Sequence, residues 1–180
     1  MSIPSIDVRE LLGHPGMQRR EALRGTLEGF GTEVARVAED QPVEGDLLLE
    51  SIVEGILVSG NLSGTLHLRC ARCLTEFSST FEVGVQELFV AAPDPDTDEY
   101  PLDPEGVIDP EQMVRDAVGV ELPFSPLCKP DCLGLCPLCG GDRNLGECPG
   151  DHVEADPGWS GLEDILHRME ELGLGHGSGQ

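Results

Sequence analysis

Seven cysteines stand in this chain, and five of them fall in the twenty-one residues from Cys128 to Cys148. Those five are Cys128, Cys132, Cys136, Cys139 and Cys148; the other two form the Cys70-Ala-Arg-Cys73 knuckle. Thiolates are soft ligands, and zinc takes four of them tetrahedrally. A Cys-x-x-Cys turn brings two sulfurs from one short loop to one ion, and Gly140 after Cys139 suits such a turn by tolerating positive φ. Two such knuckles, with a Cys-x3-Cys at 128 and 132, point to structural metal. The zinc count is one or two.

Two other chemistries use the same residue type. Disulfides would leave one of seven thiols over, and the start Met-Ser-Ile-Pro-Ser-Ile-Asp has no basic stretch followed by an apolar run, so the expectation is a cytoplasmic protein in which disulfides are rare. A redox pair would sit at a strand–helix junction, whereas Pro130, Gly134, Pro137 and Gly140 make this segment loop-like. Spacing alone leaves all three open. His67 falls on an exposed phase and reads as a surface residue.

The rest of the chain must hold these loops. Aromatics are 4% of 180 residues, so the core must be built from Val, Leu and Ile. From Ile56 to Cys70 the even positions are Ile, Val, Gly, Leu, Gly, Leu, Leu and Cys, while the odd ones are mostly polar. This period-two alternation predicts one long strand, with Gly60 and Gly64 as bends or bulges. A strand over 45–53 precedes it and one over 77–89 follows. Cys70 and Cys73 then sit in a hairpin. The acidic, Pro-rich stretch 92–107 predicts a mobile loop. Asp109-Pro-Glu-Gln112 reads as a capping box opening a helix over 109–121, whose apolar face packs across the even positions of the long strand. Pro123 stops it. Short helices are expected at 5–13 and 160–172, and a disordered tail at 173–180. The expected fold is therefore α+β: an antiparallel, mostly meandering sheet or partial barrel, a few packed helices and zinc-knuckle loops. Residues 1–172 form one domain, with the metal loop 128–152 inside it.

The net charge is −23. Residues 1–36 balance five acids against five arginines, and all of the excess lies beyond them. An acidic body repels phosphate and attracts basic proteins, or confers solubility alone. Arg19, Arg20 and Arg24 are a weak candidate for contacting nucleic acid, because no aromatics interleave them; a solvated face is the plainer reading. No apolar run is long enough to span a bilayer. No phosphate-cradling glycine loop, nucleophile elbow or His–Glu metalloprotease motif is present, so neither catalysis nor a small-molecule substrate is expected.

Several residues together resemble the YceD family of large ribosomal RNA subunit accumulation proteins. They are Cys70-Ala-Arg-Cys73-Leu74, Leu122-Pro123, Pro126 to Gly140 with Asn144-Leu145, and Asp156-Pro-Gly-Trp159 through Leu162. The resemblance runs from about Asp7 to Leu172. It implies a non-enzymatic role in synthesis, processing or stability of 23S rRNA, with the large-subunit precursor, the rRNA or a basic ribosomal protein as partner. An acidic chaperone or adaptor for a basic ribosomal protein, and a thiol- or zinc-responsive regulator, are the competing readings. Family branches that lack the Cys136–Cys139 knuckle keep Cys70 and Cys73, which favours a site of Cys70, Cys73, Cys128 and Cys132. Cys136, Cys139 and Cys148 are then left for a second site with His152, where many members have Cys-x-Cys. The rival is a ribbon site pairing 70/73 with 136/139.

Overall fold

A computed structural model describes residues 2–150 together with Ile165, Arg168, Met169 and Glu171. Eight strands and one helix follow in order: β1 (Ile6–Asp7), β2 (Gln18–Gly25), β3 (Ala35–Val37), β4 (Val43–Ser51), β5 (Ile56–Arg69), β6 (Glu76–Val90), β7 (Tyr100–Pro101), β8 (Val107–Ile108) and α1 (Glu111–Glu121). The main sheet runs β2-β4-β5-β6-β7, and β3 also pairs with β5. β1 and β8 form a separate small ribbon. The main sheet stays open, so the architecture is α+β without a barrel.

β5 is the centre of the sheet. It pairs with β6 over its whole length, from Ile56↔Phe89 to Arg69↔Glu76. β4 covers Ile56–Ser63 and β3 covers Leu66–Leu68. The alternation read in the sequence is real: Ile56, Val58, Leu62, Leu66 and Leu68 are buried, while Asn61, Ser63, His67 and Arg69 are exposed. The register passes through Gly60 and Gly64 without a bulge. Gly64 serves space instead, since a Cβ there would meet the Phe81 ring at 2.7 Å.

The inner face is covered by α1 and by the N-terminal residues Ile3, Ile6, Val8 and Leu11. Met113, Val114 and Val118 are the buried face of α1, as their spacing requires. The helix lies nearest β6, with its buried face in the same core as the even positions of β5. Asp109 accepts a hydrogen bond from Glu111 N at 3.0 Å, but it stands one residue before the cap position, which is Pro110 and has no side-chain cap. The box does not close, since Gln112 turns forward to Asp116 at 2.8 Å. Leu122 is extended, as a residue before proline must be, and the helix stops there.

Two local expectations are corrected, and the basic stretch, for which the sequence predicts no element, is a strand. Residues 5–13 form β1 and a single turn, with Leu11 N and Leu12 N both bonded to Val8 O, not a helix. The basic stretch is strand β2, paired with β4 from Gln18↔Glu50 to Gly25↔Val43. The acidic stretch 92–107 is pinned midway: Tyr100 pairs with Phe89 in parallel, stacks on its ring at 5.3 Å and donates to Asp116 at 2.9 Å. Ile165, Arg168, Met169 and Glu171 are helical. The remainder of the 160–172 helix, Trp159, His152 and the 173–180 tail lie outside the described residues.

Leu66 is 4% exposed at the narrow end of the core. Leu66→Ala is expected to cost about 2–5 kcal/mol by chemical denaturation, the range of buried leucine truncations. A change near zero would mean that this end of the sheet is not packed.

Candidate metal centres

The hairpin loop 70–75 is closed by Cys70 N donating to Thr75 O and Leu74 N donating to Cys70 O, both at 2.9 Å. Leu74 takes φ +62 to complete the turn. The segment that follows α1 lies against this tip. Ala71 N donates to Pro126 O at 2.8 Å, and Leu135 N donates to Arg72 O at 2.9 Å. These contacts bring two knuckles face to face although some fifty-five residues separate them in the chain.

The result is an inner cluster of Cys70, Cys73, Cys128 and Cys132, whose sulfurs all lie within 4.8 Å of one another. Cys70 Sγ stands 3.8 Å from Cys132 Sγ, and Cys73 Sγ stands 3.6 Å from Cys128 Sγ. None of the cysteines is in a disulfide. Sulfurs around one tetrahedral zinc, each about 2.3 Å from it, would stand roughly 3.8 Å apart. The donor set and its spacing therefore fit a closed tetrathiolate ion. Cys70, Cys73 and Cys132 are buried, with Phe77, Leu127 and Leu135 packed around them.

The electrostatics of the cluster are those of thiols crowded together. Burial opposes ionisation of Cys70, but the backbone N–H groups of Cys128, Cys73 and Arg72 outweigh it and bring the thiol down to about 6. The Thr75 hydroxyl, 3.3 Å away, lowers Cys73. Burial and the neighbouring thiols push Cys128 up to about 12. Without a cation the set ionises unevenly, because like charges this close oppose one another. A divalent cation among the four sulfurs would remove that opposition.

Support from outside the sulfurs comes from residues the spacing does not reveal. Asn144 Nδ2 approaches Cys132 Sγ at 3.5 Å, while its Oδ1 accepts from Leu133 N at 2.9 Å. The Arg72 guanidinium donates to Cys132 O at 2.9 Å. Asn144 belongs to the motif that carries the family resemblance, and its position in the fold gives it this orienting role.

Cys136, Cys139 and Cys148 form an outer cluster, again within 4.8 Å of one another. Gly140, at φ +75, turns this knuckle and donates to Cys136 O at 2.8 Å. The N–H groups of Cys139 and Leu138 lower Cys136 to about 6. Gly150 N–H favours the Cys148 thiolate, but the other two sulfurs and burial prevail and raise it. Cys136 and Cys139 thus group with Cys148 and not with 70/73, so the ribbon pairing is not the arrangement of this fold. His152, expected as fourth donor, lies outside the described residues.

The three arginines do not form one patch. Arg20 and Arg24 are on the exposed face of β2, and Arg19 is on the opposite, half-buried face. Arg24 pairs with Glu44 at 3.1 Å; Arg19 pairs with Glu21 at 3.3 Å and donates to Asp7 O at 2.6 Å. His67 is exposed and stands 3.9 Å from Asp40. Among the described residues, no helix is long and apolar enough to cross a membrane.

Residues 58–166 match the protein family described as large ribosomal RNA subunit accumulation protein YceD. An uncharacterized protein of Mycobacterium tuberculosis is 38% identical over 172 residues, covering 90% of this chain and 81% of the relative. One of Mycobacterium leprae is 37% identical over 147 residues, covering 78% and 67%. A chloroplastic Arabidopsis thaliana protein, named large ribosomal RNA subunit accumulation protein YCED homolog 1, is 30% identical over 64 residues, 36% of this chain and 20% of that protein. No solved structure matches the chain.

Gly134 tests the seam between the knuckles. It has φ +73, and a Cβ there would lie 2.9 Å from Arg72 O. Gly134→Ala is expected to lose more than the about 1–2 kcal/mol of a left-handed alanine. Gly146, at φ +70 with nothing near its Cβ position, is the control. Equal losses in denaturant titrations of Gly134→Ala and Gly146→Ala would show that the seam is loose.

Proposed function

The chain belongs to the YceD family of large ribosomal RNA subunit accumulation proteins, and from that premise we propose that it supports synthesis, processing or stability of 23S rRNA without catalysing a reaction. The observation that carries this reading is the match over residues 58–166, which spans the β5–β6 hairpin, α1 and both cysteine clusters.

In this reading the clusters are structural zinc centres. Four thiolates suit zinc, and a site with four protein ligands has no open position for a reacting water. Cys70, Cys73, Cys128 and Cys132 hold the inner ion. Cys136, Cys139 and Cys148, with His152 as fourth ligand, hold the outer one. The ions supply cross-linking, and the chain supplies the surface that the ribosomal precursor meets.

The direct partner in this reading is a basic protein of the large subunit. A net charge of −23 opposes every approach to phosphate. Arg19 and Arg24 are already engaged with carboxylates, and Arg20 and Arg24 stand on the opposite face of β2 from Arg19. An acidic surface with two of these three arginines paired to carboxylates favours a basic polypeptide over naked rRNA.

Depletion of the protein from growing cells is expected to lower 23S rRNA relative to 16S rRNA and to reduce free large subunits in sedimentation profiles; an unchanged ratio sinks the proposal. Metal analysis of the purified protein is expected to find zinc, and absorbance from an iron–sulfur cluster would reject that assignment. Cys73→Ser is expected to lose the inner ion and much of the thermal stability, since metal binding and folding are coupled. Binding to an isolated basic large-subunit protein should weaken with salt and ignore substitution of Arg19, Arg20 and Arg24. Tight binding to naked 23S rRNA that those substitutions abolish would overturn the partner assignment.

A further inference from the structure

The two thiol clusters differ in how far apart in the chain their ligands lie, in how many sulfurs are buried and in the number of donors among the described residues. The inner one joins residues remote in sequence: Cys70 and Cys73 from the β5–β6 hairpin, Cys128 and Cys132 from the segment after α1. Cys70, Cys73 and Cys132 are buried there and Cys128 is half-buried, with Phe77, Leu127 and Leu135 packed around them. Opening it means separating the hairpin tip from that segment and breaking the Ala71–Pro126 and Leu135–Arg72 backbone hydrogen bonds. The outer cluster is local, drawn from thirteen residues of one loop, and supplies three sulfurs among the described residues. Cys139 is exposed, Cys148 is half-buried and Cys136 is buried, and both Cys136 and Cys148 line an open groove with Leu133, Leu138 and Arg143. Among the described residues, no strand or helix must move to reach it.

Building on the reading of these clusters as metal centres, we propose that the chain carries one permanent and one exchangeable ion, and that the outer centre of Cys136, Cys139 and Cys148 is the exchangeable one. A chelator displaces a bound ion by substituting its ligands in turn, so the attacking group must reach the metal while protein ligands are still attached. The outer groove allows that approach at an exposed sulfur; the inner cluster, with three of its four sulfurs buried under the hairpin tip, opposes it. Release from the outer centre loosens the loop that displays Leu138 and Leu145 at the surface, each more than half exposed, a loop that touches the inner centre through Asn144. It leaves the sheet, α1 and the inner centre in place. The outer centre then responds to the free zinc level around the protein, and the inner one does not.

The test uses full-length protein loaded with zinc, mixed with a chromogenic zinc chelator while far-ultraviolet circular dichroism is followed. Two equivalents of zinc are expected. One leaves rapidly with the β signal unchanged, and the other leaves only when denaturant unfolds the sheet. In Cys139→Ser the rapid equivalent is expected to be lost and the slow one retained. Cys148→Ser serves as the second variant should the first fold poorly. Release of both equivalents together with loss of the β signal overturns the proposal, as does a rapid phase that survives both substitutions. A single, slow equivalent in the unaltered protein also overturns it while leaving the inner centre intact. Absence of any bound metal overturns instead the reading on which the proposal rests.

Discussion

The tip of the β5–β6 hairpin has to be held. β5 and β6 are 14 and 15 residues long, and β4 accompanies β5 only as far as Ser63. Beyond that point, among the described residues, β3 with its three residues is the one strand besides β6 on β5. A two-stranded ribbon is marginal in water unless something packs on it. Here the packing comes from the segment after α1, seated on the tip by two backbone hydrogen bonds and by the convergence of Cys70, Cys73, Cys128 and Cys132.

That junction sets the path of much of the chain. α1 lies nearest β6, with Met113, Val114 and Val118 closing the core, and the segment after it arrives at the hairpin tip. The middle of the helix is tied to the far end of β6 through Tyr100, which stacks on Phe89 and bonds Asp116. The acidic stretch between β6 and α1 is thus bridged near its middle. Arg115 on the same helix lies over the Phe30 ring at 5.3 Å and pairs with Glu111. The helix is therefore located by aromatic contacts, by its apolar face and by the junction at its end.

Charge acts at two scales. Across the molecule an excess of −23 favours basic partners and disfavours phosphate. Within the cysteine region the few cations have local duties. Arg72 donates to Cys132 O, and Arg143 lines the groove beside Cys136 and Cys148. Crowded thiols raise the cost of ionising their neighbours, as Cys128 shows by its upward shift. The same crowding that opposes four thiolates alone suits them to one divalent cation.

The sequence by itself determined β5, because fifteen residues of alternation admit one phase and burial on one face follows from it. It also determined α1, whose apolar spacing and flanking Asp109 and Pro123 are local signals, and it marked the cysteine loops as metal-like. It concealed β2, because an outer strand with Leu23 and Gly25 as its buried positions presents arginines and glutamates in place of an apolar pattern. It misled at residues 5–13, where apolar spacing compatible with a helix is satisfied by a two-residue strand and one turn that drop Ile6, Val8 and Leu11 into the core. The grouping of the thiols was beyond the reach of spacing: Cys70 and Cys73 are as compatible with 136/139 as with 128/132, and the family resemblance alone favoured the latter. Only the tertiary structure brings 128/132 to the hairpin tip, because α1 delivers the chain there at Pro126, and the hydrogen bond from Leu135 to Arg72 carries the next knuckle past it.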